Sequence, residues 1–283
     1  MYLSNLFNPI KEHMMPRANR YFRFFPAGYP WHITHRCHNR DFLLNISYDR
    51  ARWRDWLRTA KERFGLRVLN YCVTCNHIHL LVLGTDDPYR ISKSMQLIAG
   101  STAEGYNFRK GRRGAFWEDR YHATVVETGN YFLRCMDYID LNMVRAGVVK
   151  DPGDWVHCGY RELTMKRVRN PLIDREVLSE LLGVADTSAI RAHRQQSITT
   201  NLGSGPSKCD KRWSTSIAVG GKTFVSTIDN ILKKASKAHF SNAMQQSADQ
   251  LVVREPSVWY GTDRGDQMCC LGGSNLVPWD VTA

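Results

Sequence analysis

The first part of the chain alternates between the hydrophobic period of a strand and that of a helix. From Tyr29 to Cys37 large and polar side chains alternate, which is typical of a β-strand with two unlike faces. Apolar side chains then recur at intervals of three and four from Trp53 to Phe64, and Gly65 ends this predicted helix. Two further strands are predicted at Leu66–Val73 and His77–Leu83. The predicted order is therefore strand, helix, strand, strand.

A second helix and a fourth strand complete this pattern. The helix is predicted from about Tyr89 to Phe108, and the strand from Arg120 to Glu127. The full order, strand-helix-strand-strand-helix-strand, is that of a ferredoxin-like α+β sandwich. We therefore expect an antiparallel sheet with helices on one face.

The remaining chain is predicted to be mainly helical. A helix with one apolar stripe runs from about Asn130 to Arg145, and Gly147 ends it. Helical spacing returns from Asp174 to Gln196 and again from Lys222 to Ala238, with a Gly- and Ser-rich linker near residues 201–207. We expect these later segments to form a mainly helical C-terminal extension.

Charge adds a class of partner to this fold. The chain has 39 Lys and Arg against 27 Asp and Glu, which gives a formal net charge of +12 and a pI near 9.4. This excess favours a polyanion, and nucleic acid is the first candidate. No apolar run approaches the roughly twenty residues of a membrane-spanning helix, and the start of the chain lacks the pattern of a signal peptide. The eight cysteines lack the spacing of a disulfide framework. We expect a cytoplasmic, nucleoid-associated protein with reduced thiols and no membrane partner.

Two histidines on the third predicted strand are candidate metal ligands. Because side chains alternate along a strand, His77 and His79 project on the same side. Two neutral imidazoles would need oxygen donors from elsewhere, and such a site would keep positions open for water or substrate. Two other interpretations remain open: the pair decorates the polar face of a half-buried strand, or it forms a structural zinc site with Cys72 and Cys75.

A basic run with aromatic neighbours follows the second predicted helix. Arginines suit phosphates and aromatic rings suit base stacking, so the run favours contact with a nucleic acid strand. Its alternative is a solvated surface. The run contains Arg109, Lys110, Arg112 and Arg113, followed by Phe116 and Trp117.

The helix predicted from Asn130 carries two further polar candidates. Tyr138 and Asn142 are four residues apart, so they lie one turn above the other on the same face. If the helix packs beside the third strand, Tyr138 is a candidate nucleophile and Asn142 a third metal ligand. Without that pairing, a boundary aromatic and a solvated amide are the simpler interpretation.

Several segments together resemble the REP-associated tyrosine transposases, a branch of the single-tyrosine HUH transposase superfamily. They are Trp31–Arg40, Tyr71–Val82, Trp117–His122 and Asp137–Gly147, in the order of that family, and the likeness covers roughly residues 29–160. Two positions depart from the family pattern, since Cys75 and Met143 stand where prolines are common. The likeness implies the fold of an HUH endonuclease.

The resemblance also implies roles for the candidate residues. His77, His79 and Asn142 would hold Mg²⁺ or Mn²⁺ against the scissile phosphate of single-stranded or hairpin DNA. Tyr138 would attack that phosphate and form a covalent phosphotyrosine, which a second DNA hydroxyl then resolves in transposition. Tyr121, in the Arg-Tyr-His stretch, is expected to be a structural or DNA-contacting ring rather than the nucleophile. The rival interpretation is a non-catalytic nucleic-acid-binding regulator that retains the fold.

The remaining expectations concern dimer formation, domain bounds and DNA contacts. Members of the superfamily form dimers that exchange the tyrosine helix, so a homodimer is consistent with it. We expect a basic lead-in at 1–28, the HUH transposase domain at 29–168, a mainly helical region at 169–260 and a poorly ordered tail at 261–283. The expected DNA-contacting residues are Arg36, Arg109, Lys110, Arg112, Arg113, Trp117 and Arg120.

Overall fold

A computed structural model of the chain describes residues 27–87, 89–203, 210–235 and 251–254. The strands are β1 (Pro30–Arg36), β2 (Arg67–Val73), β3 (His77–Leu83), β4 (His122–Val126), β5 (Ser216–Gly220) and β6 (Leu251–Arg254). The helices are α1 (Ser47–Phe64), α2 (Arg90–Lys110), α3 (Asn130–Asp140), α4 (Asn142–Arg145), α5 (Gly159–Thr164), α6 (Arg175–Leu182), α7 (Thr187–Gly203), α8 (Arg212–Thr215) and α9 (Lys222–Ala235).

The strands form one sheet in the order β2-β3-β1-β4-β5-β6. The first four strands are antiparallel, and their order and the helices between them are those of the predicted ferredoxin-like fold. The sheet then continues with two strands that the sequence pattern did not predict. β5 pairs in parallel with β4, and β6 pairs antiparallel with β5. The C-terminal region is therefore mainly helical, as expected, but it also widens the sheet.

The two faces of the sheet carry different side chains. The register pairs Thr34 with His79 and His35 with Ile78, so the even-numbered residues of β1 share a face with His79. The opposite face carries His35, whose ring stacks on Trp117 with centroids 4.0 Å apart. Trp117 Nε1 donates to the carbonyl of Ala99 in α2, and α2 packs along α1. The predicted pair of helices thus covers this second face.

Helices also cover the first face, whereas we expected helices on one face only. Asn70 of β2 donates from Nδ2 to Asp140 of α3 at 2.8 Å, and His32 of β1 bonds the Trp213 carbonyl of α8 at 2.9 Å. Both strand residues lie on the face of His79. In this second layer α3 buries its apolar stripe, which includes the fully buried Phe132. The histidine pair therefore lies beneath a helix layer.

The helix predicted from Asn130 to Arg145 is interrupted. Leu141 has φ −82° and ψ 5°, outside the α-helical region, so the chain forms α3 and then the short α4. Asn142 is the first residue of α4, and Gly147 ends the turn with a positive φ of 69° as predicted. Met143, at one of the two departures from the family pattern, is buried.

The C-terminal expectations agree with the structure in part. α6 lies within the helical range predicted from Asp174 to Gln196. α7 begins within that range and continues to Gly203, through the start of the predicted linker. Residues 204–209, the end of the patch predicted to Ala238, the lead-in at 1–26 and the tail from 255 lie outside the described residues. Within the described ranges, no helix is both long and apolar enough to cross a membrane.

Candidate active site

Four predicted residues meet on the covered face of the sheet, and we call them the His-Tyr cluster: His77, His79, Tyr138 and Asn142. The Nε2 atoms of His77 and His79 lie 3.0 Å apart. The side-chain amide of Asn142 lies 2.9 Å from Nε2 of His79. The ring of Tyr138 is perpendicular to that of His79, with centroids 5.6 Å apart. The break at Leu141 changes the helix geometry but still brings both helix residues to the histidines.

The ring of His77 is fixed by two neighbours on its Nδ1 side. The Thr74 hydroxyl donates to the His77 carbonyl at 2.8 Å, so it accepts from Nδ1 at 2.9 Å. Asn76 donates from Nδ2 to the Arg40 carbonyl, which turns its oxygen towards Nδ1 at 2.7 Å. Both neighbours therefore accept, and Nδ1 carries the proton. Nε2 of His77 presents a lone pair to the cluster.

Burial keeps both cluster histidines neutral. Burial, together with the charges of Arg36 and Arg145, lowers the pKa of His77 to about 4. Burial, the neighbouring His77 and His32, and the same two arginines hold the pKa of His79 well below its usual range. Neutral imidazole is the form that binds a metal ion.

The donor set of the cluster fits a divalent cation. Ligands at about 2.1 Å from an ion and at right angles to each other lie about 3.0 Å apart, which is the separation of the two Nε2 atoms. Rotation of the Asn142 amide by half a turn places its oxygen where the nitrogen now faces His79. Within the described residues, no three His, Cys, Asp or Glu side chains gather as a metal group. An amide oxygen is therefore the third protein ligand that the geometry offers.

Tyr138 lies in a basic and aromatic environment. It is 8% exposed, and the Arg145 guanidinium lies over its ring at 4.4 Å from the centroid. Arg145 also donates to the Tyr138 carbonyl at 2.5 Å. The centroid of the Trp213 ring lies 6.0 Å from that of Tyr138. Arg145 therefore places a permanent positive charge beside the phenol.

The helix that carries Tyr138 is held by buried polar contacts. The fully buried Arg194 of α7 pairs with Asp140 at 2.6 Å and with Asp137 at 2.7 Å. Asn70 of β2 donates to the other oxygen of Asp140. Asp137 and Asp140 flank Tyr138 on α3, and Arg194 and Asn70 bind them. These contacts fix the helix against both the sheet and the C-terminal region.

The sequence around this cluster matches a known family. Residues 28–142 match the family model for IS200-like transposases. This segment is similar to an IS200-like transposase, and we call it the transposase domain after that match. The matched range begins just before β1 and ends at Asn142, so it contains the whole His-Tyr cluster.

Two solved structures are similar to part of the chain. One is a REP-associated tyrosine transposase bound to a REP hairpin, at 20% identity and a TM-score of 0.43, covering 53% of this chain and 87% of that one. The other is a Deinococcus radiodurans protein assigned as a transposase, at 17% identity and a TM-score of 0.31, covering 36% and 82%. No curated protein matches the chain significantly. The assignment of the transposase domain rests on the family match.

The predicted DNA-contacting residues of the transposase domain lie in different settings. Arg36 lies at the end of β1 opposite His77, where it also pairs with Glu118 at 3.7 Å. Lys110, the last residue of α2, and Arg113 after it are exposed, and Arg120 is half-buried before β4. Three of these residues, Arg36, Lys110 and Arg113, are exposed and therefore open to a strand of DNA.

The other predicted contacts have structural partners. Arg109 pairs with the buried carboxylate of Asp49, between α2 and α1. Arg112 donates to Asn107 and to the Ala115 carbonyl within its own loop. Trp117 is half-buried against His35.

Tyr121 is on the wrong face for the cluster. Its ring contacts His35 at a centroid distance of 6.3 Å, and His35 points away from His79. Burial raises the pKa of Tyr121 well above that of an exposed phenol. The structural or DNA-contacting role expected for Tyr121 stays a prediction.

The zinc alternative has no geometric support within the described residues. Cys72, Cys75 and the two histidines do not form a group of metal ligands. Cys75 instead lies 3.8 Å from the Arg50 guanidinium. Burial raises the pKa of both thiols. Protonated thiols are poor zinc ligands.

Three residues at the site were assigned no role from the sequence. His32 bonds Nδ1 of His79 from the neighbouring strand at 3.0 Å, and Trp213 and Arg145 contact Tyr138. The sequence held a signal for His32, because the strand alternation places it on the opposite face from Trp31 and Ile33. Arg145 lies in a segment that carried the family resemblance. For Trp213, 75 residues after Tyr138 in the chain and outside the matched segment, we find no such signal.

Proposed function

We propose that this chain is a REP-associated type of transposase that cleaves and rejoins single-stranded hairpin DNA through a phosphotyrosine intermediate. The observation that supports this most is the His-Tyr cluster itself. Two imidazole lone-pair positions, one side-chain amide and one phenol lie together, although they come from β3, α3 and α4. The motif resemblance and the net charge of +12 support a nucleic acid substrate.

In this proposal Tyr138 is the nucleophile. Its oxygen forms a bond to the scissile phosphorus while the bond from phosphorus to the oxygen of the adjacent nucleotide breaks. The phenolic proton leaves to solvent, and the released DNA oxygen takes up a proton to become a hydroxyl. When another DNA hydroxyl attacks the phosphotyrosine, the phenol is regenerated. The number of phosphoester bonds is conserved, so the exchange needs no ATP.

The remaining residues orient the phosphate and balance its charge. We propose that His77, His79 and Asn142 hold Mn²⁺ or Mg²⁺, which when bound would withdraw charge from the scissile phosphate. Arg145 lies over the Tyr138 ring, so its charge stabilises the phenolate as it forms. Arg36 lies opposite His77 at the same end of their strands and is suited to the flanking phosphate. The homodimer suggested by the resemblance stays a prediction.

The test compares cleavage with binding in matched tyrosine variants. Tyr138→Phe removes only the attacking oxygen, so we expect hairpin binding within about twofold of the wild type and a loss of cleavage of at least 10³-fold. The control is Tyr121→Phe, which removes a buried hydroxyl on the other face and is expected to retain cleavage. Both are assayed with labelled hairpin DNA and Mn²⁺ on denaturing gels and by mobility shift.

Two results would contradict the proposal. One is cleavage by Tyr138→Phe at the wild-type rate. The other is a wild-type protein that binds the hairpin tightly but cuts no strand with either metal, which would favour the non-catalytic regulator.

A further inference from the structure

A continuous line of hydrogen bonds connects the C-terminal region to one proposed metal ligand. Nδ1 of His32 lies 2.9 Å from the carbonyl oxygen of Trp213, and Nε2 of His32 lies 3.0 Å from Nδ1 of His79. The two imidazole rings are nearly parallel, with an interplanar angle of 11° and centroids 5.1 Å apart. That separation fits a side-to-side N–H···N bond between the rings. His32 and His79 are both almost completely buried.

The Trp213 carbonyl determines which nitrogen of His32 and of His79 carries the proton. A carbonyl oxygen only accepts hydrogen bonds, so Nδ1 of His32 carries the proton and donates it to Trp213. In the neutral ring the other nitrogen, Nε2, then has a lone pair. That lone pair accepts from Nδ1 of His79. The Nε2 atom of His79 is then left unprotonated.

The consequence is that both cluster histidines present lone pairs to the same point. Nε2 of His77 is unprotonated because Thr74 and Asn76 accept from its Nδ1. Nε2 of His79 faces it at 3.0 Å with no proton between them. The repulsion between two such lone pairs is relieved by a cation. His32 thus has the position and the hydrogen bonds of a residue that orients a ligand without touching the ion.

We propose that His32, anchored on the Trp213 carbonyl, is a positioning residue that holds His79 in the metal-binding tautomer. This inference rests on the proposed function, and it adds a residue and a region to that site. Trp213 lies outside the segment that matches the transposase family, in α8 just before β5. The C-terminal region therefore contributes to the metal site through one backbone carbonyl.

The test measures Mn²⁺ affinity, by isothermal titration or by the EPR signal of free Mn²⁺, in three variants of the full chain. His32→Phe keeps a ring but removes the acceptor, so we expect Mn²⁺ binding to weaken by about 10- to 100-fold. His32→Gln restores an acceptor near the position of Nε2, and its affinity is expected to lie within about fivefold of the wild type. His35→Phe is the matched control. It removes another buried histidine of β1 that bonds a backbone carbonyl, that of Asp119 at 2.8 Å, but it faces away from the cluster.

A second measurement needs neither a variant nor a metal ion. Long-range ¹H–¹⁵N correlation spectra of the metal-free wild type assign the proton of each imidazole ring. We expect the proton of His79 on Nδ1. A proton on Nε2 of His79 would overturn the inference, whatever the DNA-cleaving activity of the protein.

The affinities can also overturn the inference by themselves. Equal Mn²⁺ affinity in His32→Phe and the wild type would do so, and so would equal losses in His32→Phe and His35→Phe. Because neither readout involves DNA, failure of the inference is distinct from failure of the cleavage proposal. A protein with the expected tautomer and Mn²⁺ affinity that never forms a phosphotyrosine would refute only the latter.

Discussion

At the scale of single residues, the cluster depends on atoms that accept hydrogen bonds. Each proposed histidine ligand donates from Nδ1, His77 to Thr74 and Asn76 and His79 to His32. Each ring is thereby turned so that Nε2 faces the same point. An imidazole without such a partner is free to rotate and to exchange tautomers, which weakens metal binding. The three neighbours are therefore as important to the site as the rings.

Asn142 gives a prediction at this scale. Asn142→Ala removes the only amide within contact of His79 among the described residues, and with it the proposed oxygen ligand. We expect Mn²⁺ affinity to fall by at least about tenfold and cleavage to fall with it, because loss of a ligand costs no less than loss of a residue that supports one. Titration with Mn²⁺ and a cleavage assay measure both effects.

The control for this change is Asn130→Ala, at the exposed start of α3 and remote from the histidines. It should leave both quantities unaltered. Metal binding in Asn142→Ala at the wild-type level would exclude the amide as a ligand.

Much of the site was predictable at this scale, and the reason is local periodicity. Alternation along β3 places His77 and His79 on one face, and four-residue spacing brings Tyr138 near Asn142. The contacts of His32 and Trp213 were not predictable, because they join β1 to a segment far along the chain. The settings of Arg109 and Trp117 were equally hidden, since a basic run does not reveal which of its members pair with buried groups such as Asp49.

At the scale of elements, α3 is the helix on which the proposed chemistry depends. Its apolar stripe packs on the sheet, while Asp137 and Asp140 face Arg194 of α7. A charge pair with no exposure contributes little net stability as a pair, but loss of one partner leaves the other charge buried without compensation. The position of Tyr138 therefore depends on a residue of the C-terminal region.

Arg194 gives a prediction at this scale. Arg194→Ala leaves Asp140 with Asn70 as its remaining side-chain partner, so we expect the free energy of unfolding to fall by about 3 to 5 kcal/mol. Chemical denaturation measures this difference. The matched control is Arg52→Ala, which breaks an exposed pair with Asp55 and is expected to change the free energy by less than about 1 kcal/mol. Equal losses in the two variants would show that the buried contacts do not hold α3.

Two element-level features escaped the sequence pattern for physical reasons. Every residue of β5 is buried, so the strand lacks the alternation that reveals a strand with one exposed face. Its partner β4 is about ninety residues earlier, and such pairing leaves no local signal. The break at Leu141 was also hidden, because no Gly or Pro stands there.

At the scale of the whole molecule, the family match and the site do not have the same extent. The matched segment ends at Asn142, but the groups that orient His79 and hold α3 include Trp213 and Arg194. The sheet likewise continues from the transposase domain into β5 and β6. The C-terminal region is therefore part of the structure that supports the proposed chemistry.

The predicted fold was correct where the order of elements decides the topology. Four strands and two helices in ferredoxin-like order leave few ways to pair, and the structure has the expected one. The number of layers was not predictable in the same way. A second layer of helices forms because α3 and the C-terminal helices have their own apolar stripes to bury, and the face that carries His79 is where they do so.

The most direct test of the central claim is to trap and map the covalent intermediate. The wild-type protein is incubated with labelled hairpin-bearing single-stranded DNA and Mn²⁺, digested with protease, and the DNA-linked peptide is identified by mass spectrometry. The account predicts one adduct, a phosphodiester to Tyr138 in the peptide that includes Asp137 and Ile139. An adduct on Tyr121, on the opposite face of the sheet, or cleavage without any protein adduct would contradict it.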